Sequence, residues 1–114
     1  MEESIAIARS EDLPEGGSVR FRIAVEGEVV PAFAVRLGGL LRAYVNRCPH
    51  RFVELDLETN RFFHPDGERL LCRAHGAAFE VAGGRCLEGP CPKGSGLRSL
   101  HIVEEGGNIR VHPE

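Results

Sequence analysis

A chain of 114 residues can bury one hydrophobic core but not two. Apolar residues at 42% and charged residues at 27% are the proportions of an ordinary soluble globular domain. A net charge of −3, with no dense run of Lys or Arg, argues against a nucleic-acid partner. No signal-peptide pattern and no apolar run of membrane-spanning length is present, so no membrane partner and a cytoplasmic location are expected.

In chain order, Ile5-Ala6-Ile7-Ala8 is a short first strand, and Leu13–Gly17 a turn. Val19, Phe21, Ile23 and Val25 then alternate with Arg20, Arg22 and Ala24, the period of two of a half-buried strand. Glu26-Gly27-Glu28 reverses the chain into Val29–Leu37, and Gly38-Gly39 turns it again into Leu40–Asn46, giving a meander. Residues 47–67 carry charges, Pro49, Asn60, Pro65 and Gly67 without either period. Two short strands follow, Arg69–Cys72 and Ala77–Val81, closed by Gly83-Gly84. The Gly- and Pro-rich stretch 87–96 is expected to be a loop. Leu97–Glu104 and Asn108–His112, joined by Glu105-Gly106-Gly107, make a last hairpin. Closely spaced strands with glycine turns predict an all-β sandwich or small barrel.

Two motifs stand in the irregular middle: Cys48-Pro49-His50, and Cys72-Arg73-Ala74-His75 beginning 22 residues after His50. Each sets one thiolate and one imidazole on a tight loop. Two cysteines on one iron and two histidines on the other is the ligation of a Rieske centre. The same four donors also suit tetrahedral zinc, although zinc sites more often use Cys-x-x-Cys knuckles. Cys86 and Cys91 bracket Leu87-Glu88-Gly89-Pro90, and in a reducing compartment two packed thiols are favoured over a disulfide or a redox-active pair. His101 and His112 are expected to be structural or surface residues, and His64, in the stretch between the motifs, is the candidate for a contact behind the ligands or with a partner. Arg47, Arg51, Arg73 and Arg85 flank the two motifs and suggest either a basic rim for an acidic partner or simple solvation.

The chain resembles the Rieske ferredoxin family. The likeness rests on Asn46-Arg47-Cys48-Pro49-His50-Arg51 and Cys72-Arg73-Ala74-His75-Gly76-Ala77-Ala78-Phe79. It continues through Gly83-Gly84-Arg85, Gly89-Pro90 and the strands within Leu97–Val111. The resemblance implies a single domain over 1–114, an antiparallel β framework carrying a small cluster-binding β subdomain at about 46–92. It also implies one [2Fe–2S] cluster held by Cys48, His50, Cys72 and His75. The chain departs from the family pattern in a longer segment between the loops, Leu57–Asp66, and in Phe52 or Val53 where a glycine is usual. High-potential relatives carry loop cysteines and Ser and Tyr hydroxyls where this chain has Val53, Ala74, Ala77 and Phe79. Without those donors to sulfur, the resemblance implies a potential near the bottom of the Rieske range, roughly −150 mV.

So short a chain has no room for a flavin domain or substrate pocket, which points to an electron carrier rather than a complete enzyme. By resemblance its partners are a reductase and a terminal oxygenase. A small Rieske subunit of a larger redox enzyme, like that of nitrite reductase, is the alternative, and a zinc-stabilised interaction domain a third.

Overall fold

The computed structural model describes residues 4–49, 53–74, 76–92 and 94–112. The fold is all-β, and the described residues include no α-helix. Six strands form one antiparallel sheet: β1 (Ile5–Arg9), β2 (Ser18–Val25), β3 (Glu28–Leu37), β4 (Leu40–Val45), β8 (Ser99–Glu105) and β9 (Asn108–His112). Their spatial order, β1-β9-β8-β4-β3-β2, curls toward a barrel. Three short strands, β5 (Arg69–Leu71), β6 (Ala78–Glu80) and β7 (Cys86–Glu88), make a second sheet in sequential order.

The predicted meander is β2-β3-β4, with Phe21 opposite Ala32 and Phe33 opposite Tyr44. Its third strand ends at Val45, so Asn46 already belongs to the following loop. β3 is buried on both faces through Ala32–Val35. One face sends Val30, Ala32 and Ala34 into the barrel interior with Leu13, Ile23, Ala43, Leu100, Ile109 and Val111. The other sends Phe33 and Val35 toward the small sheet, where they meet Tyr44, Phe62, Leu70 and Phe79. The first cluster takes small alanines from β3, and the second takes the aromatic ring of Phe33. One strand thereby couples the framework to the part carrying both Cys/His motifs.

Two expectations need correction. The stretch 87–96 is not wholly loop, because β7 takes Leu87 and Glu88: Phe79 pairs with Cys86, and Ala78 with Glu88, across a bulge. The Gly83-Gly84 turn folds the chain back onto β6, and pairing of this kind leaves no period in three residues. Cys86 and Cys91 are joined in a disulfide rather than packed as thiols. The Gly89-Pro90 turn brings their Cα atoms to 6.3 Å, within disulfide range. Local geometry here outweighs the expectation drawn from compartment.

Candidate metal centre

Each Cys/His motif begins where a strand ends. Cys48 follows β4, and its N–H donates to the Val53 carbonyl at 2.8 Å. Cys72 follows β5, and its N–H donates to the Ala77 carbonyl, also at 2.8 Å. Both loops are therefore closed by the same bond, from a cysteine to the fifth residue after it, although their Cys–His spacings differ. A further bond, from the Arg73 N–H to the Leu55 carbonyl at 2.8 Å, ties one loop to the exit of the other. The two cysteines are fully buried and share one apolar cluster with Leu55, Ala77 and Cys91. His50 and His75 lie outside the described residues.

Beneath the first loop is a polar network that the sequence did not advertise. Asn46 and Asp56 are both buried. The Asn46 Oδ1 accepts from the Leu55 N–H at 2.8 Å, and its Nδ2 donates to Asp56 at 3.1 Å. Asp56 also accepts from the Asn60 N–H at 2.9 Å and faces the Arg20 Nε at 2.9 Å. Arg20 reaches Glu54 with its other arm, at 2.9 Å. A buried carboxylate needs such partners, and here they fix the chain on both sides of Leu55. Asp56 lies between two leucines in a region without periodicity. A charge flanked by apolar residues was the available signal.

The segment Leu57–Asp66 is anchored rather than looped out. Phe62 is fully buried, and its ring stacks on Phe33 with centroids 4.0 Å apart. Asn60, in the left-handed region at φ 59°, meets Ser18 at the start of β2. His64 engages Asp66 and Arg69. Arg69 in turn holds Asp66 at 2.8 Å and Glu88 at 2.6 Å, joining this segment to β7. The Glu68 N–H and the Arg69 guanidinium hold the Asp66 carboxyl down to about 2.

A third loop, the Gly89-Pro90 turn between β7 and Cys91, covers the second. Gly89, at φ 97°, sits so close to Gly76 and Ala77 that a Cβ there would stand 2.8 Å from the Ala77 Cα. Ala77 and Phe79 are buried and bring no hydroxyl. Tyr44, the only tyrosine, donates its hydroxyl to the Val81 carbonyl at 2.5 Å, and burial pushes its ionisation up to about 12. That hydroxyl is committed to the backbone.

The remaining candidates fall elsewhere. His101 and His112 face each other across β8 and β9 with ring centroids 5.0 Å apart. Arg47, Arg73 and Arg85 are all exposed, Arg85 lying 3.8 Å from Glu80, and Arg51 is outside the described residues.

A family model for the Rieske [2Fe–2S] domain matches residues 3–107. The chain belongs to the Rieske family. Its cofactor is accordingly a Rieske cluster. Two buried thiols on equivalent loops are donors suited to the cysteine-bound iron of such a cluster. Among solved structures, the ferredoxin of carbazole 1,9a-dioxygenase from Nocardioides aromaticivorans IC177 is 27% identical, with a TM-score of 0.74. That match covers 97% of this chain and 98% of the ferredoxin. A chain in a complex of reduced oxygenase and oxidized ferredoxin of carbazole 1,9a-dioxygenase is 24% identical with a TM-score of 0.75, over 97% of this chain and 94% of the other. The latter shows the shared fold. Oxidoreductase NdmD of Pseudomonas putida is 29% identical over 109 residues, 90% of this chain. The match spans only 17% of NdmD, so this Rieske chain corresponds to a small part of that enzyme.

Proposed function

We propose that Cys48 and Cys72 ligate one iron of the cluster and His50 and His75 the other, and that the chain shuttles single electrons from a reductase to a terminal oxygenase. The pair of cysteine loops closed by the same hydrogen bond, with both thiols buried in one apolar cluster, carries this reading. Residues 1–114 act as one domain, with the cluster-binding part at about 46–92. When bound, the cluster supplies a site that takes up and releases one electron. The protein's own residues do the rest. Leu55, Phe62, Ala77 and Phe79 exclude water from the cysteine side, and the Asn46–Asp56 network fixes the first loop. Fixed loops limit rearrangement between oxidation states.

Ala77, Phe79 and the committed Tyr44 hydroxyl leave sulfur without side-chain donors from these positions, which disfavours the additional negative charge of reduction. The potential expected is roughly −150 mV, at the low end of the Rieske range. The similarity to a dioxygenase ferredoxin over nearly the whole of both chains supports an oxygenase as acceptor and a carrier rather than a catalyst. No helix of the described residues is long and apolar enough to cross a membrane, and we place the chain in the cytoplasm. An anaerobic reductive titration with coulometry tests this reading. One electron per two irons, near the stated potential, is expected; a midpoint above about +100 mV would refute the low-potential assignment.

A further inference from the structure

We propose that Cys86 and Cys91 form a dithiol–disulfide exchange site whose state sets how tightly the third loop is held on the Cys72–Ala77 loop. In its bearing on the cluster, this rests on the ligand reading above. The disulfide joins the end of the small sheet to Cys91, which lies in the same buried cluster as Cys48, Cys72 and Ala77. Between its cysteines, Gly89 rests on the backbone of Gly76 and Ala77, next in sequence to His75. The bond therefore clasps the turn that presses on a candidate ligand loop.

Three observations mark it as an exchange site rather than a staple of the fold. The bridge spans a sequence separation of only 5, and so short a loop removes less entropy from the unfolded chain than a long one does. β7 has anchors other than the bridge, in its pairing to β6 and the contact of Glu88 with Arg69. Access is asymmetric: Cys86 is partly exposed beside the exposed Leu87, Gly89 and Pro90, whereas Cys91 is 7% exposed. A thiol thus reaches Cys86 first. The reduced state is also accommodated in advance. The Cys86 Sγ lies 3.6 Å from the Cys91 carbonyl oxygen, and the Cys91 Sγ lies 3.6 Å from that of Glu88. On reduction the two sulfurs must part, but each thiol has a backbone carbonyl close at hand to accept its weak S–H.

The co-reactant is a dithiol, small or borne by a protein. Its thiolate attacks the Cys86 Sγ, the Cys86–Cys91 bond breaks, and Cys91 leaves as a thiolate that takes a proton. The second thiol of the reagent then attacks the mixed disulfide, closing its own disulfide and releasing Cys86. Two electrons and two protons pass to the protein. With the clasp open, Gly89 lifts more readily from Ala77, and water approaches the cluster. Better solvation favours the more negative, reduced cluster, so the potential rises.

The test treats anaerobic holoprotein with dithiothreitol, maps thiols by alkylation and mass spectrometry, and follows amide exchange across residues 72–77 and the midpoint by film voltammetry. Alkylation at Cys86 and Cys91 only after treatment is expected, with faster exchange at the Cys72 and Gly76 amides. The midpoint should move upward by about threefold in the one-electron equilibrium, or about 28 mV at 59 mV per tenfold. Reoxidation should reverse these changes, and a Cys86→Ser/Cys91→Ser protein should show the opened values with or without dithiol. Thiols that alkylate before treatment, a bridge that resists dithiol until the cluster is lost, or reduction that moves neither exchange nor potential would each overturn the proposal. An iron assay beforehand separates the two readings. Protein without iron refutes the ligand assignment, while labelling and exchange still decide the clasp.

Discussion

Asn46 has two roles that no other side chain near the first loop could combine: its carbonyl oxygen receives the Leu55 N–H and its amide feeds Asp56. Asn46→Ala would leave a buried N–H and a buried carboxylate oxygen short of partners. A loss of about 1–3 kcal/mol in denaturant unfolding is expected, with lower iron content in the folded fraction. An unchanged midpoint of unfolding would show that water replaces the amide. Tyr44 gives a pH-dependent counterpart. Its ionisation is raised from 10.0 to about 12 by burial, so its contribution is complete below pH 10 and lost as pH rises through about 12. At pH 9, Tyr44→Phe should be the less stable protein by about 1–3 kcal/mol, because the Val81 carbonyl loses its donor. Between pH 10 and pH 12 that gap should narrow, as seen by chemical unfolding at stepped pH; a constant gap would contradict it. At this scale the two Cys/His motifs stood out in the sequence, whereas Asp56 did not. A carboxylate in an aperiodic stretch reads as solvated, and only the fold brings Arg20 and Asn46 to it.

The β2-β3-β4 meander was legible because each strand alternates and each turn has its glycine. β7 was not, because three residues carry no period and its partner is fixed by the Gly83-Gly84 reversal. The segment between the loops is longer than the family pattern, and its weight in the fold was not legible. Phe62 within it stacks on Phe33 at the junction of the two sheets. Phe62→Ala should cost about 3–5 kcal/mol, the range for emptying a buried aromatic site. Leu57→Ala in the same segment, at a side chain 50% exposed, should stay within about 0.5 kcal/mol. Thermal unfolding of the pair separates an anchored element from a tolerated insertion. Equal effects would show that the segment does not support the site.

Over the whole molecule, a six-stranded framework and a three-stranded sheet share the two-faced strand β3, and both candidate cysteines lie in the core on its aromatic side. The all-β class and the family were both within reach of the sequence, the first through the alternating strands and the second because both motifs occur in order with their flanks. The disulfide was not, because composition and compartment speak only to averages. The four-residue ligand set is tested most directly by pulsed EPR of the dithionite-reduced protein, read for nitrogen couplings. Two imidazole nitrogens coupled to the cluster are expected in the wild type and in His101→Ala, with one lost, or the cluster lost, in His50→Ala and in His75→Ala. Zinc in place of iron, or a cluster whose nitrogen couplings survive both of those substitutions, would contradict the assignment.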